Sequence, residues 1–145
     1  MFESLKRICS NAKKTNENKI IREIFDDSDL QLDIANLNRS QMFDEGIDAK
    51  GDSLGEYSPY TIAQKIKKGQ RHDHITLRDT GEFHGSIRVR SEQKTVIISG
   101  DMKKPDTDLE IIYPFALGLT NENLSAIQGI ISPIFRAKVL QNIFG

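Results

Sequence analysis

LRDTGEFHGSI, residues 77–87, sits where the pattern of the chain changes. Before it, apolar residues recur at helical spacing; from Ser86 onward they alternate. Ile87 and Val89 alternate with Arg88 and Arg90, and Val96 and Ile98 mirror them after Ser91-Glu92-Gln93-Lys94. Two period-two runs around a short polar turn predict a β-hairpin over 86–99, with both arginines on its solvent side. Just upstream, Asp79 or Thr80 is placed to cap a short helix, with a carboxylate near its positive end and Gly81 admitting a tight turn. Phe83 and Ile87 then lie one helical turn apart and face the core. Asp79, Thr80 and Gly81 thus read as a structural turn and cap that joins a helical half to a sheet.

Working outward, Phe2, Leu5, Ile8 and Cys9 predict a short amphipathic helix. Asn16 or Thr15 is a candidate cap for a second, with Ile20, Ile21, Ile24 and Phe25 as its stripe. Asp26-Asp27-Ser28-Asp29 breaks that helix. Leu30, Leu32 and Ile34 alternate as a strand would, which leaves that segment open between strand and helix. Leu37, Gln41, Met42 and Asp44 read as helical, ending on Gly46. Residues 47–58 form a polar, glycine-bearing loop, and Ser58-Pro59 opens a helix that stops at Gly69. Residues 69–74 and 100–108 read as loops, and LEIIYPFALG (109–118) as a third strand running into a turn. The segment 121–145 is helical, with Asn121 or Asn123 as cap and a break near Ser132-Pro133. The expected fold is α+β in a single domain, 1–145: N-terminal helices over 1–46, then loop, helix and small antiparallel sheet over 47–120, then a closing helix over 121–145.

A chain of 145 residues can bury a real core, and 37% hydrophobic with 28% charged residues is ordinary for a globular protein. The net charge of −1 conceals segregation: residues 15–56 carry 11 acids and 4 bases, residues 57–94 carry 8 bases and 4 acids. Near-neutrality argues against broad coating of nucleic acid. Segregation reads as a solvated mixed-charge surface or, more sharply, as copies packing acidic patch against basic patch. Cys9 is the single cysteine, which excludes an internal disulfide or a cysteine-based zinc cluster. The opening residues show no signal-peptide pattern, and no window nears the roughly 18 apolar residues of a membrane span. A soluble chain in a reducing compartment is expected.

No motif in the chain carries a complete catalytic or metal-binding set. Asp79-Thr80-Gly81 is the tripeptide that carries the catalytic carboxylate of aspartic proteases, which as half-sites require a second copy so that two carboxylates share one proton. Its flanks are foreign to that use: Arg78 precedes it, Glu82 follows it, and the loosely similar IISGD (97–101) lies only a hairpin away. His72-Asp73-His74 lacks a third ligand at metal spacing. DAKGDSLGE (48–56) places Lys50 where a calcium loop requires oxygen. No P-loop, dinucleotide fingerprint or Gly-x-Ser-x-Gly elbow occurs, so no cofactor is expected. The basic cluster KIKKGQRH (65–72) is either a solvated helix end or a contact surface. Its Lys65, Lys67, Lys68 and Arg71, with Arg88 and Arg90 of the hairpin, are the candidate contacts to a neighbouring subunit or to DNA.

Taken in order, LNRSQMFDEGIDAKG, YSPYTIAQKIKKG, ITLRDTGEFHGSI, the RVR hairpin and SPIFRAKVLQNI resemble small virion-morphogenesis proteins of tailed phages. These are neck or tail-completion proteins, including versions from Bacteroidetes phages. Leu77, Thr80, Gly81, Phe83, Ser86 and Ile87 match the family's Leu-x-x-Thr-Gly-x-Φ-x-x-Ser-Φ segment. Ser132, Pro133, Phe135 and Arg136 match its ending, where Arg-Pro-Phe is commoner. The resemblance spans about residues 30–140. It implies a structural protein without catalytic residues, assembled in the virion as a homo-oligomeric ring at the head–tail junction. Its implied partners are the portal or connector and tail proteins, with non-specific contact to DNA in the channel and none to membrane.

Overall fold

The computed structural model of the chain describes residues 2–14, 16–92 and 95–144. The architecture is α+β: N-terminal helices, two small antiparallel strand pairs and a long C-terminal helix. Helices α1 (Phe2–Lys14), α2 (Glu17–Phe25) and α3 (Ser28–Ser40) come first, and α3 runs into one widened π-helical turn, Gln41–Glu45. Asn16 caps α2 by accepting from the Lys19 amide at 3.2 Å. The alternative cap, Thr15, lies outside the described residues, as do Gln93 and Lys94 at the hairpin tip and the side chain of Phe2. In α1, Leu5 is exposed and Ile8 half-buried.

The acidic break behaves as a helix start. Asp27 accepts from the Leu30 amide at 2.9 Å and opens α3. The segment left open between strand and helix is therefore helical throughout. Leu30, Ile34 and Ala35 fall on one helical stripe and are buried, while Leu32 points away at 53% exposure. Gly46 ends the π turn in the left-handed region, φ 64°, as expected from its position. It is also irreplaceable for space: a Cβ there would fall 2.4 Å from the His74 ring.

Helix α4 (Pro59–Lys67) starts with Ser58 accepting from the Thr61 amide. Helix α5 (Glu82–Ser86) leads into β1 (Arg88–Glu92), which pairs with β2 (Thr95–Ser99) in antiparallel register Arg88↔Ser99 to Glu92↔Thr95. Val89 is buried while Arg88 and Arg90 are exposed, as alternation required. Residues 100–108, expected to be a loop, contain a two-residue hairpin, β3 (Lys103–Lys104) with β4 (Thr107–Asp108).

Two further expectations fail. The third strand at 109–113 is instead one helical turn, α6 (Leu109–Ile112), because the Asp108 carboxylate accepts from the Glu110 amide and starts a helix. Only Leu109 of that turn is buried; Ile111 and Ile112 face out. The break at Ser132-Pro133 is absent: α7 (Asn121–Phe144) runs through Pro133. Proline removes one ladder donor, and the Ser132 hydroxyl turns back to donate to the Gln128 carbonyl at 2.8 Å. Neither asparagine caps α7. Thr120 Oγ1 accepts from the Asn123 amide, while the Asn123 side chain donates to Gln41.

The core gathers Ile20, Ile24, Ile34, Met42, Phe83 and Ile87, with α2 and α1 against α7 and α3 against β1. Two buried amides join the halves. Asn38 donates to the Ala116 carbonyl (2.9 Å) and accepts from the Gly118 amide (3.1 Å). Gln41 donates to the Gly118 carbonyl (3.0 Å) and accepts from the Thr120 amide (2.9 Å). The 116–120 connection thereby finds its backbone partners in side chains, where no strand is available.

Candidate functional site

The turn before α5 is held under constraint. Leu77 has φ 53°, the only non-glycine residue with positive φ among those described, a backbone state that costs a leucine roughly 1–2 kcal/mol. Surrounding groups enforce it. The Ile75 amide donates to the Gly55 carbonyl and the Thr76 amide to the Tyr57 hydroxyl, both at 3.0 Å. The Arg78 amide donates to Thr76 Oγ1, and Gln70 Nε2 donates to the Asp79 carbonyl at 2.8 Å. Lys65 completes the clamp. Its Nζ donates to the Arg78 carbonyl at 3.1 Å and to Gln70 at 3.4 Å, and lies 4.7 Å from the centre of the Tyr57 ring.

This clamp forms one wall of a groove of about 420 Å³ between α4, the 75–79 turn, β3–β4 and α6. Its floor is Tyr57, Ile75, Leu77, Leu109 and Tyr113, and burial pushes the Tyr113 phenol above its usual pKa. Lys68, Arg78 and Lys104 stand along it. An apolar floor with cations at the edge suits an apolar segment flanked by carboxylates.

The tripeptide of the opening stretch is divided among different tasks. Gly81 (φ 89°) precedes α5 with no side-chain cap there; Thr80 Oγ1 accepts from the Glu82 amide at 3.3 Å. Asp79 caps nothing. It forms an ion pair with Lys68 at 3.2 Å, and the hydrogen bond from that ammonium holds its carboxyl below the usual carboxylate range.

The basic cluster is largely spent inside the molecule. Lys65 is 6% exposed, so it is not available for the subunit or DNA contacts expected of it; the amphipathic spacing of α4 turns it inward. Lys68 faces Asp79, and Arg71 hydrogen-bonds Asp73 at 2.7 Å, holding that carboxyl down at about 2. Arg71 and Arg78 both lie near the Phe43 ring, at 5.7 and 5.3 Å. Lys67, Arg88 and Arg90 remain exposed, with Arg90 3.8 Å from Glu92. His72 bonds the Gln70 carbonyl and Asp73 accepts from Arg71, while His74 bonds the Phe43 carbonyl through Nε2 and sets Nδ1 3.3 Å from Asp73. Asp48 accepts from the Lys50 and Asp52 amides, closing the 48–52 turn on itself.

Sequence reasoning missed three participants. Arg39 donates to the carbonyls of His84 (2.8 Å) and Ile87 (3.1 Å), satisfying the end of α5. Buried His84 donates from Nε2 to the Thr76 carbonyl at 2.8 Å, and burial lowers its pKa. Tyr57 supplies the hydroxyl under the turn. Only the Ser58-Pro59 signal next to Tyr57 hinted at an ordered neighbourhood.

Outside the groove, α7 presents a second feature. Its inner side, Ile127, Ile131, Phe135 and Val139, joins the core, yet Leu124, Ile130, Ile134, Leu140 and Phe144 are 41–58% exposed. Among the described residues no helix is long and apolar enough to cross a membrane. No protein-family model, curated protein or solved structure matches this chain.

Proposed function

We propose that this chain is a structural virion protein of the head–tail junction of a tailed phage, a neck or tail-completion subunit. Copies assemble as a ring around the DNA channel and dock the tail to the portal or connector. The observation that carries this reading is α7. A helix apolar on nearly all sides belongs in an interior, yet this chain covers only one side of it. The uncovered side is what a subunit keeps for its neighbours. Segregated charge supports the same reading, since ring neighbours meet through different faces, and so does the motif order 30–140 that resembles these phage proteins. Arg88, Arg90 and Lys67 are the exposed cations left for a neighbour's acidic segment or for DNA.

The test is mass measurement of the purified chain over a wide concentration range, alone and with portal-complex proteins. Ring-sized oligomers, or a stoichiometric complex on the portal, are expected. A monomer under both conditions overturns the reading.

A further inference from the structure

The groove and the acidic corner at α2–α3 are complementary, and we infer that the α2–α3 corner of one copy seats in the α4–α6 groove of the next. The inference rests on the ring reading above and names its subunit contact.

The groove asks for an anion. Its lining includes four cations, Lys65, Lys68, Arg78 and Lys104, against one carboxylate, Asp79. Lys65 is buried and forms no ion pair among the described residues; a carbonyl, an amide oxygen and a ring face are its neighbours. Its charge reaches the groove only through space, where Asp79 already feels it; Lys68, Arg78 and Lys104 are the lining cations that an incoming carboxylate can meet. The groove also asks for an apolar group, because its floor is apolar and its lips, Tyr60 and Ile112, are 75% and 55% exposed.

The corner supplies both. On α3, Asp29, Leu32 and Asp33 share one outer face, since positions three and four apart are helix neighbours. Leu32 is 53% exposed, and Asp29 and Asp33 are exposed and form no ion pair among the described residues. Asp27 and Asp26 are held within the chain, by the Leu30 amide and the Ser91 hydroxyl, and contribute only nearby negative charge. An apolar knob between free carboxylates therefore stands on one patch, and an apolar floor between cations on another. Groove (57–79, 104–113) and corner (17–33) share no element, so the contact is heterologous, the kind that closes into a ring when its rotation allows.

Reciprocal charge reversal tests it. Lys68→Glu/Lys104→Glu changes the groove, and Asp29→Lys/Asp33→Lys changes the corner. Each altered chain, shown folded by circular dichroism and thermal melting, is expected to associate at least about tenfold more weakly at low salt. An equimolar mixture of the two restores assembly, because every contact in an alternating ring is then complementary; so does one chain carrying both reversals. If wild-type chains assemble and the reversed ones assemble equally well, or the mixture fails to recover, this contact is wrong and the ring reading stands. A wild-type chain that never assembles removes both.

Discussion

Lys65 Nζ reaches out of α4 to the Arg78 carbonyl, 3.1 Å away, and pins the one leucine held at positive φ. The cation is a fastener, not a surface charge. Lys65→Ala removes a charged-donor hydrogen bond and a buried aliphatic stem, for a loss of about 2 kcal/mol in denaturant unfolding. Amide exchange at Thr76 and Arg78 should accelerate in the same variant, whereas a Lys67→Ala control should change neither.

Gln41 is fully buried and satisfied at both ends of its amide. Gln41→Leu keeps the volume but strands the Gly118 carbonyl and the Thr120 amide, each worth about 1–3 kcal/mol when left unpaired. A loss of about 3 kcal/mol is expected by chemical denaturation. Gln41→Glu, which keeps the acceptor for Thr120 but sets an oxygen against the Gly118 carbonyl and buries a carboxylate, should lose at least as much.

His84 carries an acid-sensitive share of the stability. Burial lowers its folded pKa beneath the unfolded value of about 6.5, so the unfolded chain binds more protons in that window and stability rises with pH. The contribution is complete above about pH 6.5 and is lost as the pH falls toward the folded pKa. Melting temperatures from about pH 7 down to 5 should decline, and His84→Gln should flatten that decline.

The two sides of α7 separate stability from assembly. Ile127 is 6% exposed on the inner side, and Ile127→Ala should cost about 3 kcal/mol by chemical denaturation. Ile130 is 49% exposed on the outer side. Ile130→Ser should move monomer stability by only about 0.5 kcal/mol while weakening oligomer formation in sedimentation. Equal effects of both changes on assembly would argue against an interface on that side.

Asp79 distinguishes a structural element from a protease half-site. Its side chain is 54% exposed and paired with Lys68, an arrangement worth only about 0–1 kcal/mol. Asp79→Asn should leave the fold and assembly intact, with no peptide-cleaving activity in the parent chain to lose. Cleavage abolished by this one change would overturn the structural reading.

Several of these features were open to the sequence because they depend on neighbours in the chain. The hairpin over β1 and β2 followed from alternation, the stop at Gly46 from a left-handed residue after an apolar run, and the helix at Pro59 from its serine. Helix caps settled two segments that spacing or propensity had not, one left open and one misread. Leu30, Leu32 and Ile34 fit strand and helix spacing equally, and the Asp27 cap decided for helix; LEIIY had strand propensity, and the Asp108 cap overrode it. Pro133 carried a breaking signal that one lost hydrogen bond inside a 24-residue helix does not enforce.

Local spacing alone thus determined the helices that open at Asn16 and Pro59, the hairpin with its outward arginines, and the segregation of charge. Tertiary structure decided where each charge went. Lys65 and Lys67, two residues apart in one basic run, end up buried under a turn and exposed to solvent because α4 rotates them to different sides. Asp79 and Thr80, adjacent in LRDTGEFHGSI, diverge toward Lys68 and the Glu82 amide. The groove, the amides of Asn38 and Gln41, and the uncovered side of α7 all join residues distant in the chain, and such partners are set by packing rather than by local spacing.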